Sequence, residues 1–252
     1  MQSIPIVFLY GFFVILPVFF WFWFFGRRDR AEPEPRKLLF QLFLWGFLAA
    51  IIAFLLEVFL SEIFYGEDNS DVNLLNRTEI MSIASLGVLI LFVAIEEIVK
   101  FFILKKVVYY SEHFTQIIDG ALYGICLALG FSFIENTGYF FDVLFGEYTM
   151  RDLIGISFLR SFMPLLLHIV ATGICGLYLA RKKFSPEHSQ KNIIKGLFIA
   201  ISMHGIFNIS VLMTESPINF FIALAVLFLG LLFLLRQISK GESKMIWKLI
   251  YK

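Results

Sequence analysis

The chain has 252 residues, 59% of them hydrophobic, with 32 phenylalanines, a mean hydropathy of +0.82 and a net charge of +1. A soluble domain of this length would show shorter amphipathic elements, so that class is excluded, and the near-neutral balance predicts no nucleic-acid partner. The expectation is an all-α fold, a polytopic helical bundle whose first partner is the lipid bilayer.

The first apolar run, "IPIVFLYGFFVILPVFFWFWFF", has no basic residue before it and no small-residue cleavage pattern, and it is too long for a signal-peptide core. It predicts a retained membrane helix over 4–25. Six more spans are predicted at about 38–60, 82–109, 120–141, 153–180, 193–213 and 217–235, each near or above the roughly 20 residues that cross a bilayer. Short polar loops join them, so 1–252 reads as one membrane-embedded domain. Cys126 and Cys175 fall inside apolar helices without metal-type spacing and read as small buried hydrophobes.

Basic residues set the expected orientation. Arg27, Arg28, Arg30, Arg36 and Lys37 follow the first span, Lys105 and Lys106 end the third, Arg181 to Lys195 follow the fifth, and Arg236 to Lys252 form the tail. That is seventeen on one side, against Arg77 and Arg151 on the other. Seven spans with the N-terminus outside and the tail cytoplasmic satisfy this, in a multi-pass protein of the cell membrane.

Ionisable groups inside a membrane are costly and usually mark function or a specific pairing. "AIEEIVKFF" carries Glu96, Glu97 and Lys100; "GFSFIEN" carries Glu135 and Asn136; "LLLHIVATG" carries His168 and Thr172; "SMHGIFN" carries His204 and Asn208. Within these sets the residues are adjacent or one turn apart, and the i, i+4 spacing puts both members of a pair on one helix face. The economical arrangement is convergence on one interior cavity. Gly120, Gly124, Ala128 and Ser132 form a small-residue stripe for close helix packing, and Gly196 and Ala200 lead into His204 at the same spacing. Pro164 predicts a kink just before His168. Arg160 and Asp119 lie nearer the span ends, where snorkelling accounts for them.

These residue types allow two chemistries. Glutamates and neutral histidines can activate a water as general bases, with Asn208, Asn136 or a histidine donating to an oxyanion. Alternatively, His168 and His204 with Glu97 or Glu135 form a three-ligand set suited to Zn2+. No His-Glu-x-x-His motif supports the zinc set locally, and serine or cysteine nucleophiles lack an adjacent base.

In order on successive helices, "EEIVK", "FSFIEN", "HIVAT" and "HGIFN" resemble the PrsW-type intramembrane proteases, relatives of the type II CAAX prenyl endopeptidases and bacteriocin-processing homologues. The resemblance covers roughly 80–212 and includes the "DGALYG" turn at 119–124. It implies a membrane endopeptidase with a catalytic core at 80–212, accessory helices at 1–60, and a last helix with a basic tail at 217–252. The substrate it implies is a membrane-anchored protein, such as an anti-sigma factor whose cleavage begins regulated proteolysis. By position, Glu96 and Glu97 match the catalytic double glutamate, Glu135 the second-motif polar residue, and His168, His204 and Asn208 the later ones. Lys100, Asn136 and Thr172 stand as supporting residues. The prenyl endopeptidases have histidine where this chain has Glu135. Both metal-dependent and glutamate-type mechanisms have been assigned to such enzymes, so the cofactor is either zinc or none. Two other readings use the same polar residues: an ion-coupled transporter, and a non-catalytic helper or immunity protein.

Overall fold

The structure, a computed structural model, describes residues 6–27, 34–65, 83–185, 189–213 and 216–250. Of the residues used to orient the chain, Arg28, Arg30, Arg77 and Lys252 lie outside the described set. Seven helices account for nearly all of it: α1 Ile6–Gly26, α2 Arg36–Tyr65, α3 Ile83–Val108, α4 Ile117–Phe145, α5 Met150–Phe184, α6 Ser189–Leu212 and α7 Pro217–Ile250. Among the described residues there is no strand. The fold is an all-α polytopic membrane bundle.

Six of the seven helices are long and apolar enough to cross a membrane. The exception is α3, which has 26 residues but carries Glu96, Glu97, Lys100, Lys105 and Lys106. Its interior charges are shielded by the other helices: Glu97 and Lys100 are both fully buried. The last helix also departs from expectation, since α7 continues well past 235 into the basic tail.

The centre of the bundle is the α4–α5 pair, whose midsections are almost wholly buried. Helices can approach this closely only where a side chain is missing. A Cβ added at Gly120 would strike the carbonyl of Gly176, one at Gly176 would strike that of Gly120, and one at Gly124 would strike that of Thr172. On the other side of α4, Gly130 and Gly46 seat α2 in the same way. Gly176→Val is therefore expected to cost about 1–3 kcal/mol or more by overpacking. Gly138→Ala, where an added Cβ meets nothing within 4 Å, should be close to neutral. Thermal unfolding of the detergent-purified variants compares the two.

Two prolines remove backbone donors, and neighbouring helices replace them. Pro17 has no N–H for the carbonyl of Phe13, four residues back. Helix α1 opens there into a π turn over Gly11–Ile15, and Ser161 Oγ lies 2.5 Å from that carbonyl. Pro164 cannot donate to the carbonyl of Arg160, and Asn136 Nδ2 from α4 donates to it at 3.4 Å. Asn136 thus repairs the break that Pro164 makes in α5, which is otherwise one continuous helix.

Asp119 is not a snorkelling residue. It is fully buried and caps the start of α4, accepting from the backbone N–H of Thr115 at 2.9 Å and of Gln116 at 2.7 Å.

Candidate active site

Four helices bring their polar faces together inside the bundle. α3 contributes Glu96, Glu97 and Lys100, α4 contributes Glu135 and Asn136, α5 contributes His168 and Thr172, and α6 contributes His204 and Asn208. Spacing of three or four residues in α3, α5 and α6 fixes which side chains share a face; the close α4–α5 packing then sets the faces side by side.

Lys100 is the hub. Its Nζ donates to Glu97 Oε1 at 2.6 Å and lies 2.9 Å from His168 Nδ1 and 3.5 Å from Glu96 Oε2. The ammonium also sits 4.2 Å from the centre of the Phe131 ring. An ammonium can only donate, so His168 accepts at Nδ1 and carries its hydrogen at Nε2. That Nε2 donates to Glu135 Oε2 at 2.7 Å. Glu135 Oε1 in turn accepts from Arg160 at 2.6 Å. On the other side, His204 Nδ1 lies 2.9 Å from Glu97 Oε1 and Thr172 Oγ1 lies 3.5 Å from Glu97 Oε2. A carboxylate accepts, so His204 donates from Nδ1 and leaves Nε2 with a free lone pair. The two imidazoles meet edge to face, with ring centroids 4.9 Å apart.

Glu96 is the odd member of this network. Its Oε2 is buried and has no hydrogen-bond partner, although it stands 4.0 Å from His168 Nδ1. Asn208 lies half-buried one turn beyond His204, with no side-chain hydrogen bond among the described residues.

Arg160 corrects the snorkelling expectation. Its guanidinium is bound to Glu135 and lies 3.4 Å from the centre of the Tyr139 ring. A part-buried carboxylate bonded to His168 attracts the nearest cation inward, and this outweighs the pull of the interface. Glu57 on α2 is a residue the sequence reading missed. One of its carboxylate oxygens is buried without a partner, and it interacts electrostatically with Glu96, Glu135 and Lys100. The signal was available: Glu57 is the sole charged residue between Leu38 and Leu60. Beside this network lies a small cleft, with room for about one water, walled by Phe13, Val14, Phe140 and Ile156, with Asn136 and Arg160 among the polar residues that line it.

Could the cluster hold a metal? One donor atom from each of Glu96, Glu97, His168 and His204 lies within 4.8 Å of the other three, and two imidazoles with two carboxylates have the right chemistry for zinc. Glu135 stands apart, bonded to the opposite nitrogen of His168. Yet Lys100 Nζ already occupies the space among three of the four donors. As arranged, these residues do not fit an added divalent ion.

A helical membrane bundle that encloses carboxylates and imidazoles around an unpartnered glutamate oxygen has the makings of a membrane-embedded hydrolase. Residues 34–235 match the model of the PrsW family intramembrane metalloprotease. The chain belongs to that family and is a membrane-embedded endopeptidase. It is 29% identical over 209 residues to Protease PrsW of Clostridioides difficile, covering 80% of this chain and 78% of that one. To Protease PrsW of Bacillus subtilis it is 27% identical over 186 residues, covering 73% and 74% of the two chains. The Oceanobacillus iheyensis Protease PrsW is 32% identical over 114 residues, covering 45% and 49%. No solved structure matches the chain. Membership of a protease family does not favour the transporter or helper readings.

Proposed function

We propose that the protein hydrolyses membrane-anchored protein substrates with a water activated by Glu96. The observation that carries this reading is the buried Oε2 of Glu96, which makes no hydrogen bond and faces His168 across 4.0 Å and Lys100 across 3.5 Å, while Glu97 and Glu135 are hydrogen-bonded. A general base must be free to accept, and Glu97 and Glu135 are not: each is held by a cation and a histidine.

In this scheme a water donates one hydrogen to Glu96 Oε2 and a second to the free Nε2 of His204. Its oxygen attacks the scissile carbonyl, and the proton taken by Glu96 passes to the leaving nitrogen. Asn208, on the same face as His204, donates to the oxyanion. Glu97 orients His204, while Glu135 and Lys100 lock His168 in one tautomer. The steps use only these side chains and water. Residues 80–212 supply the catalytic core, and the helices of 1–60 add Glu57 and one wall of the small cleft beside it. The basic asymmetry supports a cytoplasmic tail and residence in the plasma membrane. Among candidate substrates, a membrane-anchored anti-sigma factor is the one the motif resemblance implies.

The test is a comparison of new protein termini in membranes from cells that have the protein, lack it, or carry Glu96→Gln. New termini within or beside membrane segments should occur only with the unaltered protein. Identical terminus profiles in all three would refute the assignment.

A further inference from the structure

We infer that Lys100 is the resident cation of this site, and that its ammonium takes the place a divalent metal would need. The inference rests on the site proposed above but concerns its cation rather than its reaction.

Lys100 is fully buried and stands 2.6 Å from Glu97, 2.9 Å from His168 and 3.5 Å from Glu96. These are three of the four side chains able to ligate a metal. The spacing of the cage also suits ammonium. Zinc holds nitrogen and oxygen ligands at about 2.0–2.2 Å, which puts tetrahedral ligands roughly 3.3–3.6 Å from one another. The four donor atoms here spread over as much as 4.8 Å. Distances of 2.6 and 2.9 Å from the central nitrogen are those of charge-assisted hydrogen bonds.

Charge points the same way. Glu97 and Glu135 already face Lys100 and Arg160, and a divalent ion added beside the ammonium would be repelled by it at short range. Metal and ammonium are therefore alternatives at one position. Lys100 keeps His168 accepting at Nδ1 and holds Glu97 and Glu96 on either side of itself, which is the positioning work a metal does elsewhere. Removing the ammonium should leave a cavity edged by two carboxylates and two imidazoles, which is a zinc site in waiting.

The experiment is zinc titration of purified protein in nanodiscs, read by metal content after equilibrium dialysis and by thermal shift. Wild type should bind zinc weakly and gain no thermal stability from it. Lys100→Met should bind one equivalent about tenfold or more tightly and be stabilised by it, and adding His204→Ala should abolish both effects. Lys100→Gln serves as a second variant should Lys100→Met fail to fold. Wild type binding one equivalent as tightly as the variants overturns the inference, and so does a failure of both folded variants to bind. Because the readout is metal and not cleavage, either result is independent of whether the proposed proteolysis holds.

Discussion

Glu96→Gln is expected to lower cleavage by about 10²–10⁴-fold while the protein still inserts and accumulates. The amide keeps the size and much of the polarity of the side chain but cannot take a proton from water. Its effect on stability should be small, because the Oε2 atom it replaces makes no hydrogen bond and its closest charged contact is the 3.5 Å approach of Lys100. Cleavage rate against the amount of membrane-inserted protein is the measurement. A variant that cuts at the normal rate would transfer the role of base to another residue.

Glu97 should behave in the opposite way, with stability failing first. Its carboxylate is fully buried and binds Lys100, His204 and Thr172. Glu97→Leu leaves the ammonium of Lys100 buried without its shortest partner, a loss expected at about 3–5 kcal/mol. Replacing both members, as in Glu97→Leu with Lys100→Met, removes the stranded charge and should recover a large part of that loss, since an apolar pair of similar volume is often neutral in place of a buried ion pair. Thermal unfolding of the two single variants and the double variant decides it through the interaction term of a double-mutant cycle. Additive losses would show that the pair does not act as a unit.

The contrast between the adjacent glutamates was beyond the reach of sequence reading. "EE" places two carboxylates about 100° apart on a helix, and both were candidates for the same role. Which one is bound and which one is free depends on α5 and α6: His204 is 107 positions away from Glu97, and His168 is 68 positions away from Lys100. Arg160 was misread for a related reason. Near a span end its local sequence favours snorkelling, and only its encounter with Glu135, 25 positions earlier, draws it inward. Nor did the sequence show that the amide of Asn136 would serve the carbonyl that Pro164 leaves unpaired, 24 positions away.

What the amino-acid order determined alone was the membrane class, the helices to within a few residues except in the long last one, and the sets of polar residues that share a face. Each of these follows from hydropathy and the 3.6-residue period, which are local properties. The tertiary structure decided the partners: the ammonium among the metal-type ligands, the arginine on Glu135, the approach of Glu57, and the oxygen of Glu96 that makes no hydrogen bond. Those pairings depend on how closely the helices approach and how they are rotated about their axes. Both are set by glycine contacts such as Gly120 against Gly176, which arise only once distant segments pack together.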